Sequence, residues 1–317
     1  MSAHGVRAHT ARPSRLFVAL AAVVGLLRWS WLPRAGALLA FLAFDVLRIR
    51  RAHVVSSLAR AGFGDGGVRT ARAVYRGLGA SALELLWIAA HPEVPATSLV
   101  RVDGRARFDG ALARGRGVIV ATAHTGNWDL VGCACAGQTR LAVVTKRLSA
   151  RSLDAWWQRT RASRGLDLLA APDGDVLRAV RARLAEGGAV ALLIDQDPER
   201  TRSVVAAPFL GEVALHDTLV ATLAARTGAS IAVAFGRRDP HLVDIVEVIT
   251  PPPRAGRAWI EATTRAMAAR LDAFVREDPA CWLWLHRRWK TRLEKHVPRT
   301  RSSPGRALSG ARSKVEG

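Results

Sequence analysis

The chain has 317 residues, half of them hydrophobic, which is enough for a sizeable core and excludes global disorder. Its formal net charge is +21, carried almost wholly by arginine, so acidic partners suit it better than basic ones. Three cysteines, Cys133, Cys135 and Cys281, exclude a fully paired disulfide framework and offer no CxxC pair for zinc.

Residues 1–15 are polar and carry Arg7, Arg12 and Arg15 without an acid. An apolar run follows, Leu16 to Leu27, is broken by Arg28, Pro33 and Arg34, and resumes from Ala35 to Phe44. Neither half reaches the ~20 residues of a spanning helix. Joined, they would bury Arg28 and Arg34 near the middle of a span. Two shallow interfacial helices around a bend at Pro33 fit better, making 16–47 a membrane-associated anchor held to anionic lipid by flanking arginines such as Arg48, Arg50 and Arg51. The alternative is a pair of core helices in a soluble domain. Signal-peptide cleavage is rejected, because RWSW follows Leu27 where small residues should stand.

Residues 46–90 read as helices with a loop at Gly62–Gly67, and His91-Pro92-Glu93-Val94-Pro95 ends that texture. Beyond it, short apolar runs alternate with amphipathic segments. Strands are predicted at 117–123, 141–146, 189–195, 230–236 and 243–249. Helices are predicted at Trp128–Ala136, Leu153–Arg164, Val176–Glu186, Asp217–Thr227 and Trp259–Val275. This alternation predicts an α/β fold with a mostly parallel central sheet flanked by helices. Residues 293–317 form a basic Ser/Gly/Pro tail predicted to be disordered. The main domain is therefore 48–292.

Several chemistries are absent from the sequence. It has no GxSxG, Walker A or HExxH pattern. Gly62, Gly64 and Gly67 match GxGxxG only between helices, and no nucleic-acid-binding pattern accompanies the basic charge. One segment stands out, GVIVATAHTGNWDLVG. His124 follows a buried-type strand, on the side where α/β sheets bind ligands. Gly126 permits a tight turn, and Asn127 is a good N-cap for the next helix. Asp129 lies in that helix's first turn. A strand–turn–helix corner can fold the Asp129 carboxylate back onto the imidazole, leaving the other ring nitrogen as a base. No Ser or Cys adjoins His124, so a substrate hydroxyl is the natural proton donor.

His124-Thr-Gly-Asn-Trp-Asp129 resembles the H-x4-[DE] motif of glycerolipid acyltransferases, and its fuller form resembles the lipid A biosynthesis late acyltransferases, the lauroyl/myristoyl transferase family. The likeness extends to Val102-Asp103-Gly104 with Ala111 to Val118, to Leu193-Ile194-Asp195-Gln196-Asp197 with Pro208 to Gly211, to Leu223–Ala229, and to Trp284–Arg292. The resemblance implies that His124 is a general base, that Asp129 orients it, and that a hydroxyl attacks an acyl thioester with no covalent enzyme intermediate. By the same resemblance, Lys146 or Arg161 would bind acceptor phosphate, and Asp195 and Gln196 would line the pocket or, alternatively, form a helix cap and a solvent-facing turn. His286 is open to structural, membrane-facing or catalytic roles. The implied co-substrate is an acyl thioester on acidic acyl carrier protein or on coenzyme A. The implied acceptor is an anionic membrane lipid, a lipid A precursor first and another membrane lipid otherwise. No metal or redox cofactor and no nucleic acid is implied, and the implied place is the cytoplasmic face of the inner membrane. A non-catalytic membrane-surface relative is the rival reading.

Overall fold

A computed structural model describes residues 14–171, 176–198 and 202–290 of the chain. The predicted disordered tail, and all but the end of the basic segment 1–15, lie outside the described residues.

Four helices come first: α1 (Arg15–Gly25), α2 (Leu32–Phe41), α3 (Arg51–Leu58) and α4 (Gly67–Ala90). The alternating part then runs β1 (Arg101–Asp103), α5 (Arg105–Leu112), β2 (Val118–Thr122), α6 (Trp128–Ala136), β3 (Leu141–Lys146), α7 (Arg151–Ser163), β4 (Asp167–Ala171), α8 (Val176–Ala185) and β5 (Ala189–Leu193). It continues with β6 (Val204–Phe209), β7 (Glu212–Asp217), α9 (Leu219–Thr227), β8 (Ser230–Arg237), β9 (Leu242–Ile249) and α10 (Arg257–Glu277). Seven strands form one sheet in the order β1-β9-β8-β2-β5-β3-β4, and every pairing is parallel except β8–β9. The expected mostly parallel sheet is therefore present.

Alternation along the central strands assigns each residue to one of two cores. Ile119 and Ala121 of β2, Leu192 of β5, and Ile231, Val233 and Phe235 of β8 face a core closed by α8, α9 and α10. Val118 of β2, Ala189 and Ala191 of β5, and Ala232 and Ala234 of β8 face a core closed by α5, α6 and α7 together with α1 and α4. The first face carries bulky side chains and the second mostly alanines. Room is left between the sheet and α6 for that reason.

Three expectations change. The chain bends before Pro33, across Leu26–Trp31; Pro33 lies in the first turn of α2, where its missing N–H costs no helical bond. The helix predicted from Asp217 starts at Leu219, because residues 204–217 form an antiparallel hairpin, β6–β7, that absorbs Asp217. β1 and β4, the two edges, extend the sheet by two strands beyond those predicted.

Among the described residues no single helix is long and apolar enough to cross a membrane. The segments Arg15–Gly25 and Trp29–Val46 would pass that test only as a pair, and they meet at 101°. They are amphipathic in a specific sense. Leu32 and Phe44 are fully buried beside α4, whereas Leu16, Val18, Val23, Leu26, Leu38 and Phe41 are at least half exposed. The α2–α4 contact is backbone to backbone: a Cβ on Gly36 would stand 2.4 Å from the Ala80 nitrogen, and one on Gly79 would stand 2.3 Å from the Gly36 oxygen. Only two glycines permit that approach. Gly79→Val forces the helices apart and is expected to destabilise the protein by about 1–3 kcal/mol, as overpacking does; equilibrium urea unfolding measures it.

Candidate active site

The two central parallel strands bring the site together. β2 and β5 pair with Thr122 opposite Leu193, so two residues further on His124 stands beside Asp195. The contact is made three times. The His124 backbone N–H donates to Asp195 Oδ2 at 3.1 Å, and the ring Nδ1 lies 3.1 Å from Oδ1 and 3.2 Å from Oδ2. Trp282 Nε1 donates to Asp195 Oδ2 at 3.0 Å from the far side. Asp195 is fully buried. Burial alone would raise its pKa, but the charge of His124 and the hydrogen bonds from His124 and Trp282 outweigh it and hold the carboxyl at about 2. The imidazole thus rests on an ionised carboxylate at Nδ1, with its other nitrogen left for substrate.

The turn that carries His124 is fixed by close approach. Thr125 bridges to Trp282 in antiparallel fashion, and the Gly126 N–H donates to the Cys281 carbonyl at 2.8 Å. Gly126 has φ +59°, and a Cβ there would stand 2.9 Å from the Gly236 carbonyl carbon. Both facts demand glycine. Asn127 caps α6 by accepting from the Leu130 N–H at 3.1 Å, and its amide donates to Glu84 Oε2 at 2.7 Å. Glu84 is itself buried between Arg238 and His241, at 3.4 and 3.3 Å.

Asp129 does not fold back onto His124. Its Oδ1 accepts from Arg161 Nε at 2.6 Å and from Trp157 Nε1 at 3.0 Å, and the Arg161 guanidinium lies 3.9 Å over the Trp157 ring. The reason is the strand register: the place beneath Nδ1 already belongs to Asp195, and the first turn of α6 faces α7. Asp129 and Arg161 are both buried, so each neutralises the other.

A cavity of about 660 Å³ opens over these groups. Its polar wall includes His124, Asp129, Lys146, Arg161, Gln196 and His286. Its depth is apolar, with Val120, Val131, Leu141, Val143, Leu166 and Val243 around the alanine face of the sheet. Gly126 and Asn127, expected at the substrate, serve the turn and the cap instead and do not line the cavity. Lys146 and Gln196 are exposed at its rim. His286, left open by the sequence, brings its ring to 4.7 Å from that of His124, while Trp128 lies edge-on to His124 at 5.3 Å. Trp282 and Trp157, which hold the two carboxylates, carried no signal in the sequence beyond their neighbours.

None of the three cysteines is poised as a nucleophile. Burial pushes the Cys133 and Cys281 thiols up to about 12 and Cys135 to about 11, so all three stay protonated. Among the described residues no group of three or more His, Cys, Asp or Glu side chains is placed to hold a metal ion.

The lowered pKa of Asp195 has a defined pH consequence. Its stabilisation is complete above the ordinary carboxylate value of 3.8 and is lost as the pH falls through about 2. The stability gap between the native protein and Asp195→Asn, read by urea unfolding, should be constant near neutrality and close only in strong acid.

Residues 9–291 match the model of the bacterial lipid A biosynthesis acyltransferases. Among curated proteins, the chain is 28% identical to a phosphatidylinositol mannoside acyltransferase of Mycolicibacterium smegmatis over 190 residues, 56% of this chain and 59% of the relative. It is also 28% identical to one of Mycobacterium tuberculosis over 201 residues, 61% of each chain. The matched segments thus span about three-fifths of those relatives. The chain belongs to the bacterial lipid A biosynthesis acyltransferase family.

Proposed function

We propose that this family member moves a fatty acyl chain from an acyl thioester to a hydroxyl of an anionic membrane glycolipid. The observation that carries the reading is the His124–Asp195 pair, whose imidazole lines a largely apolar cavity while the carboxylate is buried behind it. An imidazole on a buried carboxylate is a base for a hydroxyl, and an apolar chamber suits a hydrocarbon chain.

The acceptor hydroxyl gives its proton to His124 Nε2 as its oxygen attacks the thioester carbonyl carbon. Asp195 stabilises the imidazolium that forms. The tetrahedral centre collapses with cleavage of the C–S bond, and the imidazolium returns its proton to the leaving sulfur. The protonated cysteines support direct transfer without an acyl-enzyme. Asp129, holding Arg161 against Trp157, shapes the wall where acceptor phosphate would lie, with Lys146 at its rim. The favoured donor is acyl carrier protein thioester, then coenzyme A; both are acidic, which suits a charge of +21. The family model favours a lipid A precursor as acceptor. The names of the curated relatives favour a phosphatidylinositol mannoside as the second reading.

His124→Ala and Asp195→Asn should each lower acyl transfer by about 10²–10⁴-fold with the fold retained. Asp129→Asn should lower stability more than it lowers the rate constant of the bound complex. Thiol release with purified variants, and mass spectrometry for labelled lipid, test this. Wild-type turnover by His124→Ala, or a stoichiometric acyl adduct on a cysteine, refutes the mechanism.

The exposed apolar face of α1 and α2 is the proposed membrane face, lying in the lipid interface on the cytoplasmic side of the inner membrane. Arginines at 15, 28, 34 and 48 flank it. Val23→Asp with Leu38→Asp changes only exposed positions. The pair should leave the melting temperature unchanged and greatly weaken co-sedimentation with phosphatidylglycerol vesicles. High salt should weaken binding of the native protein without abolishing it, because the apolar contribution is not screened. Undiminished binding by the double variant would move the membrane face elsewhere.

A further inference from the structure

A base and a cavity leave one chemical need unmet. When the hydroxyl attacks, negative charge collects on the thioester carbonyl oxygen, and a buried oxyanion needs a hydrogen-bond donor. The amides nearest the base are engaged. The His124 N–H donates to Asp195, the Thr125 N–H to the Ala123 carbonyl, and the Gly126 N–H to the Cys281 carbonyl. The Arg161 guanidinium is held by Asp129. The amides of residues 124–126 are therefore committed elsewhere, and a side chain on the cavity wall is placed to take the role.

Resting on the acyl-transfer reading, we propose that His286 is that donor: a neutral imidazole beside His124 on the cavity wall that hydrogen-bonds the thioester carbonyl oxygen. Its ring stands 4.7 Å from the His124 ring at 58°, and both rings line the same cavity. A carbonyl carbon within reach of a hydroxyl held at His124 is within reach of the adjacent imidazole.

The surroundings hold His286 in place and uncharged. Its backbone carbonyl lies 3.1 Å from His53 Nε2, and the preceding carbonyl, of Leu285, accepts from Arg50 at 2.5 Å. Gln196 Nε2 lies 3.4 Å from His286 Nε2, so the amide fixes which ring nitrogen carries the proton. The charged and titratable groups that bear on the ring are His124, Asp195 and Arg50. Burial lowers the proton affinity of His286 most, His124 and Arg50 lower it further, and Asp195 opposes them. One negative charge, Asp195, cannot serve two imidazolium ions; when His124 takes the hydroxyl proton, the ring facing it must stay neutral. A neutral ring still has one N–H to donate, as neutral electrophilic histidines do. In the step, the C–O bond forms, the carbonyl π pair moves to oxygen, and the proton goes from the hydroxyl to His124. His286 lends a hydrogen bond and exchanges no proton. The C–S bond then breaks with its pair on sulfur, which His124 protonates.

Two measurements test this. In thiol-release assays with palmitoyl-coenzyme A, using lipid A precursor and phosphatidylinositol mannoside as parallel acceptors, His286→Phe should lose about 10²–10³-fold in kcat with little change in donor KM. His286→Gln keeps an N–H and should recover much of the loss. The second readout needs no turnover: in a His124→Ala background, the infrared stretch of ¹³C-carbonyl palmitoyl-coenzyme A should move to lower frequency on binding, and His286→Phe should abolish that movement. Wild-type kcat in His286→Phe, no rescue by glutamine in a protein that melts like the native one, or a carbonyl stretch indifferent to residue 286 each overturns the inference while leaving acyl transfer standing. A native protein that neither binds nor consumes thioester overturns both.

Discussion

The structure turns on one parallel strand pairing. β2 and β5 are adjacent, in register, and both stop just short of a functional residue. That pairing sets an imidazole beside a fully buried carboxylate, and the rest of the site is built to tolerate the cost. An isolated buried carboxylate would protonate. Asp195 stays ionised because His124 and Trp282 both donate to it. Trp282 reaches it only because Thr125 and Gly126 bridge to the segment after α10. The segment after α10 is thus part of the candidate site: it brings Trp282 to the carboxylate and His286 beside the imidazole.

Much of this was legible in sequence, and the limits have a physical pattern. Local signals held. The apolar run ending at His124, the turn glycine and the Asn127 cap correspond to a strand, a positive-φ glycine and a capped helix. The sequence also placed Asp195 and His124 at strand ends on one side of the sheet. It could not show that these two strands are neighbours. They are separated by more than sixty residues and two intervening strands, and adjacency is a long-range property that no local period encodes. Asp129, five residues from His124, was therefore given the role that Asp195's position fills. The β6–β7 hairpin escaped for a different reason: its residues are small and mixed, with no strict alternation to mark it.

The alanines are as informative as the charged residues. Ala191, Ala232 and Ala234 leave space on one face of the sheet, while Leu192, Val233 and Phe235 fill the other. A core with alanine on both sides of Val120 buries less apolar surface than it could, by roughly 0.8 kcal/mol for each missing methylene. A sheet arranged only for stability would fill both faces. The asymmetry lies directly behind His124, where the proposed chain would enter.

The motif's two acidic relations also explain why the helix after His124 cannot simply move. Asp129 draws α6 to α7 through Arg161 and Trp157. Asn127 draws the start of α6 to α4 through Glu84. Glu84 in turn holds Arg238 and His241, beyond the end of β8. The start of α6 is thereby tied to α7 through Asp129, to α4 through Asn127 and, by way of Glu84, to the segment after β8; the ionic members of these contacts are stronger than neutral bonds. α4 also carries α1 and α2, the proposed membrane face. The route from that face to the imidazole is therefore a short series of packed elements: α2 on α4 by glycine contact, α4 on Asn127 by Glu84, and Asn127 one turn from His124. A lipid entering from that proposed face would meet the proposed base, whose position is set by the same helix that carries α1 and α2.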